Sequence, residues 1–100
     1  MTFANVGTLG TLPDKRDELV AHLTARSDLL ATLGCRLYEV GVTDEQPNTV
    51  FVVELWESSD AHRSSLQHPQ IQASIARARQ WLSGDFGGFQ FTVKGSPLRD

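Results

Sequence analysis

The feature that most constrains the fold is the segment Thr49–Trp56, which reads Thr-Val-Phe-Val-Val-Glu-Leu-Trp. Its β-branched and aromatic content predicts a strand, and its nearly continuous apolar character is typical of a central strand that is covered on both faces. Side chains alternate along a strand and therefore divide into two sets. One set is Phe51, Val53 and Leu55, and the other is Val52, Glu54 and Trp56. Both sets are largely apolar, so both faces of this sheet need a cover.

Hydrophobic periodicity predicts a β-α-β-β-α-β order for the whole chain. The predicted strands are 3–12, 35–43, 49–56 and 89–93. The predicted helical regions are 13–33, which Gly34 terminates, and 58–84, which is interrupted at His68-Pro69. The second and third strands flank a short turn and are expected to form a β-hairpin.

This order is that of the α+β ferredoxin-like fold, in which both helices lie on one face of a four-stranded sheet. Two helices leave the other face of the sheet uncovered. An exposed apolar face usually marks an interface. We therefore expect a homodimer in which two subunits pack sheet face against sheet face.

Composition limits the class of protein. One hundred residues suit a single domain with one core at about 3–94 and a tail at 95–100. A net charge of −3 gives no reason to expect a nucleic-acid partner.

The single cysteine, Cys35, excludes an intramolecular disulfide and fits a reducing compartment. The N-terminus lacks signal-peptide features, and no apolar run approaches the ~20 residues needed to span a bilayer. We expect a cytoplasmic protein without a membrane partner.

Two neighbouring stretches resemble one known family. Residues 34–40 read Gly-Cys-Arg-Leu-Tyr-Glu-Val, and residues 47–57 contain a strand that ends in Glu-Leu-Trp. Members of the antibiotic-biosynthesis-monooxygenase (ABM) family commonly share G-C-x-x-Y-E-V, a short acidic turn, a strand with E-x-W and a helical region with a polar-Pro step. His68-Pro69 matches that step. The resemblance extends from Val6 to about Val93.

The resemblance implies a dimeric α+β barrel with a mostly apolar ligand cavity in each subunit. Family enzymes include monooxygenases that oxidise polyketide phenols or quinols with dioxygen and without metal, flavin or haem; related groups degrade haem or isomerise a small signalling sugar. A phenol ionised in an apolar pocket becomes an electron-rich phenolate that can itself reduce dioxygen. Such a protein must supply a base, donors for the developing oxyanion and a cavity that excludes water.

Trp56 matches a tryptophan that lines the cavity in the polyketide-quinone-forming members, although it is equally interpreted as an aromatic plug between sheet and helix. Those members carry an asparagine four residues earlier and a tyrosine six residues later. Val52 and His62 occupy these substrate-contacting positions here. Val52 lacks the polar group of the asparagine. His62 is a candidate base because imidazole titrates near neutrality; the alternative is an exposed histidine at the start of a helix.

Glu54 is a second candidate base, since it faces the same side as Trp56. The alternative is a carboxylate that pairs with an arginine or with backbone donors. Tyr38 is a candidate polar contact to the ligand, or a residue that merely packs. Ser65 occupies a further substrate-contacting position at which quinol-oxidase-like members have histidine and haem-degrading members have tryptophan.

The remaining positions narrow the chemistry. Gln70 stands where quinol-oxidase-like members have a second histidine. Ile75 stands where haem-degrading members have a histidine, and together with Ser65 it argues against haem degradation. His22 is interpreted as lying on the polar side of the first helix, without a metal partner at suitable spacing. The sequence contains no Ser-His-Asp signature, Gly-rich phosphate loop or metal-ligand motif.

These observations lead to one favoured hypothesis and one alternative. The favoured hypothesis is a cofactor-independent monooxygenase that acts on a small aromatic ligand, with His62 or Glu54 as the base and Trp56 and Tyr38 at the pocket. The alternative is a non-catalytic dimeric protein of the same fold that binds a small ligand. It is favoured by Val52, Ser65 and Gln70, which replace polar or aromatic site residues of the family.

Overall fold

The computed structural model describes residues 1–99. Its core is one antiparallel sheet of four strands in the order β2-β3-β1-β4. The strands are β1 (Phe3–Thr11), β2 (Cys35–Gly41), β3 (Thr49–Trp56) and β4 (Leu82–Thr92). The helices are α1 (Arg16–Thr24), α2 (Leu29–Thr32), α3 (Ser59–Ser65) and α4 (Pro69–Ala78), and a 3₁₀ turn at Arg79–Trp81 leads into β4. The predicted α+β ferredoxin-like fold is confirmed, including the β2–β3 hairpin.

One face of the sheet carries the helices and the core. Val50 and Val52 of β3 are 0% and 5% exposed. They pack with Leu19 of α1 and Ala78 of α4. The buried residues of β3 thus belong to the set that includes Trp56, as the predicted alternation requires.

The prediction of a single first helix over 13–33 is wrong. The chain leaves the helical conformation at Ala25, whose φ and ψ are −60° and 135°, and re-enters it at α2. Ser27 and Asp28 lie in the break, and such side chains favour turns and caps over helix interiors. The Thr24 hydroxyl also donates to the Val20 carbonyl oxygen at 2.8 Å, a contact that competes with the helical hydrogen bond to the same oxygen at the end of α1. Gly34 follows α2 with a φ of +100°, as predicted for a terminator.

Strand β4 begins seven residues earlier than the predicted 89–93, and the preceding helical region ends before 84. Residues 84–88 read Gly-Asp-Phe-Gly-Gly, a composition with little intrinsic strand preference. Hydrogen bonding to β1 stabilises the strand conformation that these residues do not favour by themselves. Gly88 lies opposite Gly7 with a φ of +128°, and a Cβ at this position would collide with the Val6 carbonyl oxygen. Glycine therefore permits the close approach of the two strands.

The other face of the sheet, which we call the open face, has no helix over it in the described residues. The strand registers align Val53, Val6 and Phe89 across β3, β1 and β4, and they align Leu55, Ala4 and Phe91 beside them. Val53, Phe91 and Phe89 are 40%, 48% and 63% exposed. The open face therefore carries an apolar strip that runs across three strands, β3, β1 and β4.

Candidate functional site

A cavity of about 310 Å³ lies between the sheet and the helices. Tyr38, Glu54 and Trp56 line it from the sheet. Leu23, Leu30, Ile71 and Ile75 are among the residues that line it from α1, α2 and α4. Its volume is at the lower end of the range of small-ligand pockets, and its lining of apolar residues with a few polar groups is typical of them.

Glu54 is held at the cavity by two neutral donors. Asn5 Nδ2 donates to Oε2 at 2.8 Å, and Trp56 Nε1 donates to Oε1 at 2.9 Å. Gln90 Nε2 in turn donates to Asn5 Oδ1 at 3.1 Å, so residues from three strands hold the carboxylate. The partners of Glu54 are thus an amide and an indole, instead of the arginine or backbone donors considered from the sequence. A carboxylate has about four acceptor positions, and these two bonds leave acceptor capacity for a ligand.

Trp56 fits both interpretations considered from the sequence. It is 2% exposed, which makes it one of the largest fully buried side chains. It also lines the cavity and orients Glu54 through its indole nitrogen. The aromatic plug and the cavity wall are therefore the same side chain.

Tyr38 lies opposite Glu54 in the pairing of β2 with β3. Burial of the phenol raises the pKa of Tyr38 to about 12, and the negative charge of Glu54 adds to this effect. The hydroxyl consequently keeps its proton throughout the neutral range. It can serve as a hydrogen-bond donor to a ligand in the cavity.

The single tyrosine of the chain allows a direct test of this environment. We expect the phenolate absorbance of the folded protein to appear near pH 12 instead of near 10, the ordinary value. Because the unfolded chain loses this proton first, the tyrosine's contribution to the free energy of unfolding is intact below pH ~10 and declines as the pH rises towards the folded pKa. An ultraviolet pH titration, with the urea-unfolded chain as the control, measures both values. A folded protein that titrates like the unfolded chain would contradict the assigned environment.

The other three predicted site residues do not line the cavity. The His62 ring packs edge-on against Trp56, with centroids 5.3 Å apart, and against Phe3 at 5.5 Å. Val52 lies in the core beneath the helices. Ser65 is 3% exposed, and its hydroxyl donates to the His62 carbonyl oxygen at 2.6 Å. The structure thus brings Glu54, Trp56 and Tyr38 together at the cavity, while the catalytic or binding role of all six residues stays a prediction.

Sequence reasoning missed a second polar group of the cavity, formed by His22 and Ser74. His22 Nε2 lies 2.9 Å from the Ser74 carbonyl oxygen and 3.0 Å from Ser74 Oγ, and the imidazole packs against Trp81 with centroids 5.4 Å apart. One signal was available. His22 follows the core residue Leu19 by three positions, a spacing that places both on neighbouring parts of one helix face.

Residues 1–99 contain no group of three or more His, Cys, Asp or Glu side chains placed to hold a metal ion. None of their helices is both long enough and apolar enough to cross a bilayer. The side chains that line the cavity supply a carboxylate, a phenol, an imidazole, an amide and hydroxyls as polar groups.

The fold agrees with the family that the sequence matches. The family model of antibiotic biosynthesis monooxygenases matches residues 2–77, and the chain belongs to this family. Among curated proteins, none matches it closely enough to count as a relative.

Solved structures with the same fold come from several organisms. One, from Chloroflexus aurantiacus and provisionally named an antibiotic biosynthesis monooxygenase, is 24% identical with a TM-score of 0.81, and the match covers 96% of each chain. Protein SO0527 of Shewanella oneidensis is 21% identical with a TM-score of 0.76, over 90% of this chain and 88% of that one. Rv0793 of Mycobacterium tuberculosis is 18% identical with a TM-score of 0.75, over 97% and 99%. At these identities the likeness establishes the fold alone.

Proposed function

We propose that this protein is a cofactor-independent monooxygenase that oxidises a small aromatic substrate, a quinol or a polyketide phenol, with dioxygen. Membership of the ABM family supports the class of reaction. The observation that carries the proposal is the Glu54 carboxylate, which lies in the wall of a cavity lined by both apolar and polar side chains and is oriented by Asn5 and Trp56. Neither of these partners carries a charge that would neutralise it.

In the proposed mechanism, Glu54 accepts the proton of a substrate hydroxyl. Apolar side chains make up part of the cavity wall, so the resulting phenolate has fewer solvating partners there than in water and is an electron-rich donor. The phenolate transfers electrons to dioxygen, and the Tyr38 hydroxyl donates a hydrogen bond to the oxygen anion that develops. For a hydroxyanthrone, the ring methylene becomes a carbonyl. One oxygen atom enters the product and the other leaves as water with the two methylene hydrogens, so no further reductant is needed. For a quinol, one oxygen atom replaces a ring hydrogen as a hydroxyl group, and the other leaves as water with two hydrogens of the quinol, so the product is a hydroxyquinone.

We also propose that the protein is a homodimer formed through the open face. Val53, Phe89 and Phe91 supply an apolar strip of the kind that interfaces bury. Each subunit would hold its own cavity on the opposite, helical side of its sheet. We place the protein in the cytoplasm, in line with its single free cysteine.

Oxygen uptake tests the reaction. We expect uptake with menadiol or a hydroxyanthrone to exceed the uncatalysed rate, with one oxygen atom of labelled dioxygen recovered in the product. Heat-denatured protein and anaerobic incubation are the controls. Uptake at the background rate across a panel of quinols and anthrones would refute the monooxygenase proposal.

A second candidate function is binding of a small aromatic ligand without catalysis. The observation that favours it is that His62, Val52 and Ser65, which occupy substrate-contacting positions of the family, lie outside the cavity wall. A ligand that quenches the fluorescence of Trp56 in a Trp81→Phe variant under anaerobic conditions, yet is recovered unchanged after aerobic incubation with the wild type, would support this alternative.

A further inference from the structure

We propose that His22 is a second proton acceptor of the cavity and that Ser74 restricts its proton exchange to Nδ1. Because Glu54 and His22 then each accept a proton, the cavity selects an aromatic ligand with two hydroxyl groups. The inference deepens the proposed function and rests on the same cavity. Its first support is position, since His22 and Ser74 both line the cavity with Glu54.

The Ser74 carbonyl oxygen determines the protonation of the imidazole. A carbonyl oxygen can only accept a hydrogen bond, so the 2.9 Å contact with His22 Nε2 requires a proton on that nitrogen. The Ser74 hydroxyl, 3.0 Å from Nε2, is then a second acceptor for the same proton. The N–H at Nε2 is present in both the neutral ring and the imidazolium. Proton uptake and release therefore take place at Nδ1.

The surroundings also hold the ring in place. Both hydrogen-bond contacts of the His22 side chain within residues 1–99 involve Nε2 and Ser74, which is 52 positions away on α4. Trp81 packs against the ring from the 3₁₀ turn. An imidazole that is fixed at one nitrogen and packed on one side is oriented in the same manner as the bases of hydrolytic enzymes. In this proposal Ser74 is a positioning residue, and His22 Nδ1 is the atom that would meet the ligand. His22, Ser74 and Trp81 also line a second, more open groove.

The two acceptors belong to different walls of the cavity. Glu54 lies on β3 in the sheet, and His22 lies on α1 in the helical layer. A planar ligand that satisfies both presents one hydroxyl to the sheet and another to the helices. At His22 the O–H bond of the ligand breaks, the proton passes to Nδ1, and the products are a phenolate and an imidazolium. No electron is transferred in this step.

Nitrogen NMR of the labelled imidazole tests the tautomer without any assay of activity. We expect His22 to have a protonated Nε2 and an unprotonated Nδ1 at a pH where the ring is neutral, and we expect Nδ1 to respond when a naphthohydroquinone is added anaerobically. A proton on Nδ1 in the neutral ring, or a Nδ1 signal that ignores the ligand, would overturn the inference.

Anaerobic binding tests the selectivity. We expect the wild-type protein to bind a naphthohydroquinone ~2- to 13-fold more tightly than its monomethyl ether, the effect of one hydrogen bond. His22→Phe should remove this preference. His22→Gln should keep it, because the amide can donate to Ser74 and still accept from the ligand. If oxidation is measured as well, His22→Gln should lower kcat with little change in KM, because the amide cannot take up the proton.

The outcomes separate this inference from the proposed function. A preference that His22→Phe abolishes, in a protein that consumes no oxygen, would support the two-hydroxyl cavity and refute the monooxygenase. Oxygen uptake by the wild-type protein, together with an unchanged preference for the diol in a folded His22→Phe variant, would support the monooxygenase and refute the role of His22. Far-ultraviolet circular dichroism of each variant establishes that it is folded. If His22→Phe is not folded, His22→Leu, which also lacks an acceptor, repeats the comparison.

Discussion

Glu54→Gln is expected to lower the rate of aromatic oxidation by ~10²- to 10⁴-fold, the usual effect of losing a general base. Glutamine has the shape of glutamate but cannot take up the proton of a substrate hydroxyl. The loss should appear in kcat, because a neutral amide still fills the same part of the cavity wall. Oxygen uptake at saturating menadiol or hydroxyanthrone measures it.

The same substitution has a structural consequence that must be measured separately. The amide oxygen at position 54 can accept from either Asn5 or Trp56, but its NH₂ group then faces the other donor. One buried hydrogen bond is lost, which costs ~1–3 kcal/mol of the free energy of unfolding. Urea unfolding of the variant shows whether it is folded under the assay conditions, and only a folded variant is compared with the wild type.

Glu57→Gln is the matched control. It makes the same chemical change three residues later, at an exposed position beyond the end of β3. We expect wild-type oxidation from it. If the folded Glu54→Gln variant were as fast as this control, Glu54 would not be the base.

Those parts of the fold that depend on local pattern could be predicted from the sequence. Strand β3 has the predicted bounds because its apolar run and the turn residues before it are contiguous in the chain. The break between α1 and α2 was not predicted, because the apolar spacing continues across it from Leu23 to Leu30 and Leu33. The start of β4 was missed for a related reason: its glycines form a strand only because β1 lies alongside them.

The contrast between local pattern and contacts that are distant in the chain also explains which site residues could be predicted. Glu54, Trp56 and Tyr38 lie on strands, where a period of two assigns each side chain to a face. His22 and Ser74 meet through the packing of α1 against the region of α4, and no local pattern relates residues 52 positions apart. The family resemblance also assigned Trp56 to the cavity, which it lines, whereas three other positions assigned in this way, Val52, His62 and Ser65, do not reach the cavity wall. The resemblance identifies a fold, whereas the chemistry depends on this chain's own side chains.

Phe89→Glu is expected to convert the proposed homodimer into a monomer. Phe89 is 63% exposed on the open face, opposite Val6 and beside Phe91, whose ring centroid lies 6.2 Å away. Burial of one phenylalanine side chain stabilises an interface by ~1.5–3 kcal/mol. A two-fold interface contains the substitution twice. The dissociation constant of the dimer should therefore rise by ~10²- to 10⁴-fold, before the cost of burying two carboxylates is added.

The same strand provides the control for this prediction. Phe86 is 61% exposed, but its register opposite Leu9 places it on the helical side of the sheet. Phe86→Glu thus introduces the same charge with the same loss of an exposed aromatic ring, outside the proposed interface. Sedimentation equilibrium over a range of concentrations compares the two variants with the wild type. A wild-type protein that stays monomeric, or two variants that dissociate equally, would contradict an interface at the open face, and the apolar strip across β3, β1 and β4 would then need a different partner.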